Sequence, residues 1–463
     1  MELLEYLSSK RDEIIKYLSD IIKIPSVSVE GEDGAPYGKH SAQALDFISQ
    51  IAEREGLKVR NFDNHVVTAT YGNTPEKLGV LSHVDVVPEG VGWNTDPFLM
   101  SEKDGILYGR GIADDKGAAV MSLWAVKAIK ELGIKLNHGV RLIFGSGEET
   151  GCHDIEYYMT KEKMPPFVFS PDAHFPVINT EKGRFCGRFT AKYNQDNTKK
   201  ATVLSFKGGK VINVVPRICE AVVSGVDKNY VLDKIECLEK NIGNIFSVSE
   251  TDNGILIKAE GISAHASTPY DGLNAVTALT ELVVSLELSG ELFEILKKIN
   301  GIFPHGDFFG KSIGAFVCDD ISGESTFSLD IINAENGNIS GEFDGRVSLN
   351  ADDGNTVMPI TEKFKSAGFS FEVTSRLKPH HVDKDSEFIR TLLNNYEKYC
   401  DGKAECKSMG GFTYVHGIEN AVAFGPVMPG REANIHGANE QMPIDDIIKS
   451  TAIYAGAITD ICR

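Results

Sequence analysis

The sequence is short of positive charge: 47 lysines and arginines face 66 aspartates and glutamates, a formal net charge of −19. Polyanion binding draws its affinity from a basic face that displaces counter-ions, so this balance excludes a general nucleic-acid binder. Long apolar runs are also missing. No stretch is long enough to span a membrane, and the opening MELLEYLSSKRDEIIKYL intersperses charges with apolar residues, so no secretory leader is expected. The eight cysteines (Cys152, Cys186, Cys219, Cys237, Cys318, Cys400, Cys406 and Cys462) form neither a CxxC pair nor a dense framework. That excludes a disulfide-stapled scaffold and points to free thiols in a reducing cytoplasm. Low-complexity linkers and short-period repeats are absent as well. What is present, 42% hydrophobic and 24% charged residues over 463 positions, is the composition of a globular protein with room for large cores. The length suggests about three domains, or one large domain carrying an insertion.

Leu3, Leu4, Leu7, Ile14, Ile15, Leu18, Ile21 and Ile22 recur at helical spacing until Pro25 ends the run, predicting one or two amphipathic helices. A helix is expected over residues 41–55, strands over 66–71 and 78–82, a helix over 117–132, a strand over 140–144 and another over 167–170. Strands alternating with helices indicate a mostly parallel sheet sandwiched by helices, an α/β fold. From about Gly183 the texture becomes α+β, with strands expected at 184–193, 201–206, 254–259, 325–333, 341–349 and 370–377 and helices at 273–288 and 356–366. Helices at 385–399 and 446–461 flank the apolar run 420–424 and read as a return to the first domain. The expected organisation is a first domain from 1–183 and 381–463, interrupted by a large α+β insertion over 184–380.

Five short segments carry chemistry. Leu78-Gly-Val-Leu-Ser-His83-Val-Asp85 is an apolar strand ending in His-x-Asp at the edge where open α/β sheets bind ligands. A carboxylate on one imidazole nitrogen fixes the tautomer for metal ligation by the other. Leu107-Tyr-Gly-Arg-Gly-Ile-Ala-Asp114-Asp115-Lys116-Gly117 places two acids at a helix start, where they also complement the helix dipole. Phe144-Gly-Ser-Gly-Glu148-Glu149-Thr150-Gly151 puts adjacent carboxylates after a strand, one able to ligate and the other to act as a general base. Val168-Phe-Ser-Pro-Asp172 ends another apolar run in an acid, and Ile435-His436-Gly437-Ala438-Asn439-Glu440 adds a second imidazole. Two imidazoles and several carboxylates suit a pair of zinc-like ions.

In this order and spacing, HVDVVP, GRGIADDKG, GEETG, SPDA and HGANE resemble the metallopeptidase M20 family of dizinc hydrolases, and within it the dipeptidase V branch of Xaa-His, carnosinase-like dipeptidases. The resemblance spans essentially the whole chain. It implies that His83, Asp114 and Asp172 hold one divalent metal and Glu149 and His436 the other, with Asp114 bridging, chosen over Asp115 because the family motif places one residue between the bridging acid and Lys-Gly. It also implies that Asp85 orients His83, that Glu148 activates a metal-bridged water, and that the Asp114–Asp115 peptide bond is cis. Gly261-Ile-Ser-Ala-His265-Ala-Ser-Thr-Pro269 matches the lid motif and assigns His265, with a metal, to the oxyanion. Asn213 and Arg346 resemble substrate contacts, Arg346 being suited to a terminal carboxylate. Gly410-Gly-Phe-Thr-Tyr414 departs from the branch's Gly-Gly-Thr-Tyr by an inserted or altered residue. The implied activity is that of a metallo-dipeptidase using zinc, or manganese or cobalt, on small peptides. The enlarged lid, which supplies its own histidine, fits a monomer, with a dimer also compatible. An M20 amidohydrolase acting on N-acyl amino acids, of deacylase or desuccinylase type, is the alternative, and a catalytically silent binding homologue is a third reading.

Overall fold

The computed structural model describes residues 2–31, 33–194 and 201–463. The chain forms two compact units: the first comprises residues up to Thr180, His381–Ser408 and Phe412–Arg463, and the second comprises Glu181–His380 and Met409–Gly411.

The first unit is built on one sheet whose neighbouring strands are, in order, Lys58–Phe62, Val66–Tyr71, Gly139–Gly145, Glu76–His83, Phe167–Ser170, Ala421–Ala423 and Val177–Glu181. The four central strands, from Gly139–Gly145 to Ala421–Ala423, run parallel. The flanking pairs are antiparallel. Alternation along the central strands feeds two cores, as the period of two requires. Leu78, Val80, Val140, Leu142 and Phe144 join the large cluster containing the helices Arg11–Ile22, Lys39–Arg54, Lys116–Glu131 and Ile444–Cys462. Leu81 and Ile143 face the other way, onto Phe62, Ile155, Tyr158, Tyr414 and Ile418. The sheet is thus covered on both sides and its strands read as nearly continuous apolar runs. The first helical run is split, into Leu3–Ser9 and Arg11–Ile22. Among the described residues no helix is long and apolar enough to cross a membrane.

The second unit is an antiparallel eight-stranded sheet in the order Phe246–Thr251, Gly254–Glu260, Ile218–Ser224, Thr202–Gly208, Thr326–Glu335, Asn338–Val347, Gly183–Lys192 and Ser370–Leu377. Helices Lys228–Ile242, Ala275–Ser285, Glu291–Ile302 and Met358–Ser366 contribute to its core. The Ala275–Ser285 helix starts where Asn274 Oδ1 accepts the N–H groups of Val276 and Thr277, at 2.9 and 3.0 Å. The helix expected over 356–366 begins at Met358, after a wide turn over Asp353–Val357 capped by Asp352.

Candidate metal centre

Parallel pairing brings the chemistry to one edge of the first sheet. His83 closes its strand in register with Gly145, and the acidic turn Glu148–Thr150 follows directly. Asp172 follows the neighbouring parallel strand, which ends at Ser170. Ligand-bearing loops at the carboxyl ends of parallel strands are the arrangement open α/β sheets use for binding.

Asp114 sits between two imidazoles. Its Oδ1 is 3.0 Å from His83 Nε2 and its Oδ2 is 3.0 Å from His436 Nε2. His436 Nε2 is also 3.4 Å from Glu149 Oε2, and His83 Nε2 is 3.8 Å from Asp172 Oδ1. One ligand atom from each of His83, Asp114 and Glu149 lies within 4.8 Å of the others. The Asp114–Asp115 peptide bond is cis. Asp115 faces elsewhere: its Oδ2 accepts the His83 backbone N–H at 3.1 Å. The Asp114–Asp115–Lys116 turn is tight. A Cβ on Gly117 would run into the Ile112 carbonyl, which only glycine avoids.

Asp85 acts through two groups. Its main-chain carbonyl lies 3.0 Å from His83 Nδ1 and one carboxylate oxygen lies 3.4 Å from it, so the ring presents Nε2 to Asp114. The same carboxylate accepts the N–H groups of Glu148 and Glu149, at 3.3 and 3.1 Å. One side chain therefore ties the histidine strand to the acidic turn.

The electrostatics are those of anions crowded out of water. Burial pushes Asp172 up to about 7, reinforced by repulsion from Asp114. Burial also raises Glu148, with His83 opposing and Asp172, Glu149 and Asp114 adding. Hydrogen bonds to Asp114 and Glu149 push His436 up to about 11. At His83 burial works downward, yet the bonds to Asp114, Asp172 and Asp85 carry it well above its ordinary value. Buried Glu149 Oε1 has no hydrogen-bond partner among the described residues. Against its burial, Asp114 is held below the ordinary carboxylate range by its bonds to His436 and His83. A cluster that raises Asp172, Glu148 and Glu149 by crowding, holds both histidines cationic against one shared carboxylate, and orphans an oxygen fits a divalent cation with N and O ligands.

Three supporting residues escaped the motif reading. Glu440 accepts four hydrogen bonds from the Asp114 turn. Asp154 Oδ2 accepts the N–H groups of Ser146 and Gly147, at 2.7 and 2.8 Å, and the Tyr414 hydroxyl. The Tyr414 ring meets His83 edge-on, with centroids 5.9 Å apart. The signal for Glu440 and Tyr414 was within the quoted motifs, as charged or hydroxylated residues that their strand and turn contexts bury.

In the second unit, His265 is exposed, and its neighbour Val214 on the adjoining segment follows Asn213. The Ser267 N–H donates to His265 Nδ1 at 3.1 Å and Ser267 Oγ lies 2.6 Å from the same nitrogen. A backbone N–H can only donate, so the neutral ring carries its proton on Nε2. Asn213 adopts a left-handed backbone (φ 71°), its N–H donating to Asp330 Oδ2 at 2.8 Å. Arg346 is buried and held by Asp344, with Nε and Nη2 at 2.5 and 3.2 Å from its oxygens and Nη1 donating to the Gly410 carbonyl at 2.7 Å. The Asp344 carboxylate thus fixes the direction of the guanidinium.

The profile described as Peptidase family M20/M25/M40 matches residues 79–460. The Beta-Ala-Xaa dipeptidase of Lactobacillus delbrueckii subsp. lactis is 34% identical over 467 residues, covering 99% of this chain and 98% of its own. Among solved structures, human carnosine dipeptidase 1 aligns with a TM-score of 0.59 at 16% identity over 99% of both chains. A tripeptidase of Staphylococcus aureus subsp. aureus Mu50 gives 0.60 at 16% identity, over 98% of this chain and 99% of that one. With the fold, the sheet-edge cluster and a match of this extent together, the chain belongs to peptidase family M20/M25/M40.

Proposed function

We propose that this protein is a metal-dependent dipeptidase with a dinuclear centre, in which His83, Asp114 and Asp172 hold one divalent ion and Glu149 and His436 the other. The observation that carries the reading is the placement of Asp114, one oxygen 3.0 Å from each imidazole, which suits a carboxylate shared by two ions. Zinc is the ion best suited to this imidazole and carboxylate set, with manganese or cobalt also accommodated. When bound, such ions polarise a scissile carbonyl and acidify water.

The chain's own residues do the rest. Glu148 takes the proton of the attacking water and returns it to the departing amine. Its carboxylate is raised first by burial, as a proton acceptor working near neutral pH needs to be. Asp85 keeps His83 in the ligating tautomer. His265, with its proton on Nε2, donates to the oxyanion that forms on the substrate carbonyl. Asn213 and Arg346 are assigned to the substrate, Arg346 to its terminal carboxylate, and residues 184–380 are read as the lid domain. The dipeptide preference rests on the relative that carries that name over 98% of its length. The test is hydrolysis by metal-reconstituted protein of a panel of dipeptides, tripeptides and N-acyl amino acids. Preferential cleavage of dipeptides is expected; turnover confined to N-acyl amino acids would replace the proposal with a deacylase.

A further inference from the structure

We propose that Glu440 is a positioning residue of the metal centre, a buried clamp that sets Asp114 between the two histidines before any cation arrives. The inference rests on the reading of Asp114 and His436 as ligands.

Glu440 is fully buried, and both of its oxygens are spent on the turn that leads into Asp114. Oε2 accepts from Arg110 Nη1 at 2.7 Å and from the Gly111 N–H at 3.0 Å. Oε1 accepts from the N–H groups of Ala113 and Asp114, at 2.9 and 3.1 Å. The Glu440 main-chain carbonyl takes the Gly109 N–H at 3.0 Å, and the following strand Gln441–Pro443 pairs with Ile106–Tyr108. The segment that carries His436 is therefore zipped to the segment that carries Asp114.

With every acceptor position aimed at N–H donors, Glu440 is not itself a ligand. It supplies the anion that a row of inward-pointing amides requires, and Arg110 balances its charge. Arg110 in turn donates to the carbonyls of Pro88 and Glu89, at 3.3 and 3.2 Å, and lies over the Trp93 ring, so the clamp is anchored on a third segment. Displacing the turn would carry Asp114 away from at least one imidazole, since its two oxygens face opposite partners. An amide in place of the carboxylate would oppose N–H to N–H across one side of the clamp, leaving donors unpaired in a buried site.

The experiment combines calorimetric titration of zinc into metal-free wild-type and Glu440→Gln protein with hydrogen exchange of the Gly111–Asp114 amides in metal-free wild type. The expected results are zinc affinity about 10–100-fold weaker in the variant, turnover recovering as zinc is raised, and wild-type amides protected without metal. Zinc affinity in Glu440→Gln within twofold of wild type would overturn the inference. So would amides that become protected only when zinc is added, a result available even where the variant does not fold. A wild type that binds no zinc at all would overturn the ligand assignment instead, leaving amide protection to decide the clamp.

Discussion

Glu148 and Glu149 are neighbours to which the proposed function gives opposite duties, and exchanging each for glutamine tests the division. Glu149 Oε2 lies 3.4 Å from His436 Nε2 and its other oxygen is buried without a partner, so it faces the ligand cluster. Among the described residues the Glu148 carboxylate forms no ion pair with either imidazole, and its Oε1 lies 4.0 Å from Cys152 Sγ. Glu148→Gln therefore keeps the ligands and removes only the proton acceptor. General-base catalysis contributes about 10²–10⁴-fold, which at about 1.4 kcal/mol per decade is roughly 3–5 kcal/mol of barrier. Glu149→Gln removes an anionic ligand and should weaken metal binding by at least the about 10–100-fold that outer partners of a metal site are worth. The assay is zinc content per chain after dialysis against a buffered zinc level, alongside kcat on a cleaved dipeptide at saturating metal. Full zinc with collapsed kcat is expected for Glu148→Gln, and lost zinc for Glu149→Gln. Zinc loss in the first variant, or undiminished turnover in it, would refute the division of roles.

Tyr414→Phe removes a hydrogen bond to a buried carboxylate and should lower unfolding free energy by about 1.5–3 kcal/mol, measured by urea denaturation; a change under about 0.5 kcal/mol would mean the bond contributes nothing. Asp154 gives a pH signature. Burial, then repulsion from Asp85, pushes its carboxyl from 3.8 up to about 6 against the bonds from Tyr414 and backbone amides. The folded state thus holds its proton more tightly than the unfolded state. That contribution is complete below pH 4 and is lost as pH rises through 6, a fall of about 3 kcal/mol. Asp154→Asn should lack this component, and parallel stability-versus-pH curves for the two proteins would refute it. His265→Gln should lower kcat by about 10²–10³-fold with zinc content unchanged; wild-type turnover in that variant would remove the oxyanion assignment.

The first sheet was legible because its strands are buried on both faces. Leu78–Leu81 is apolar throughout and Val140–Phe144 is broken only by Arg141, and each strand leads within a few residues to a member of the imidazole and carboxylate cluster. The helices Lys228–Ile242 and Glu291–Ile302 were not read from sequence. The first buries only Val231 and Ile235 fully, leaving a thin apolar stripe. The residues proposed as ligands stand out in the sequence as residue types next to strand ends and glycines. The supports do not, because their partners are distant: Glu440 meets Arg110 across 330 positions and Tyr414 meets Asp154 across 260. A carboxylate that caps backbone amides leaves no periodic trace, since what it recognises is a conformation and not a side chain. Asp85 was read as the orienter of His83, but its carboxylate also caps the Glu148 turn, a second task visible only when the parallel strands are aligned.

The root of the inserted unit has a consequence for how this chain can be altered. Asn179 and Val382, on either side of the insertion, are joined by two hydrogen bonds, from the Val382 N–H at 2.9 Å and from Asn179 Nδ2 at 2.7 Å. Some two hundred residues thus leave and re-enter the first sheet at one stitched point, the three-residue loop Met409–Gly411 is a second excursion into the same unit, and none of the proposed metal ligands is encoded in either. The gene is accordingly divisible. The segment can be lengthened, shortened or exchanged at that seam with a closure penalty that grows only slowly with length. The metal-bearing edge remains intact, provided the small return loop Met409–Gly411, whose Gly410 carbonyl receives Arg346, travels with it.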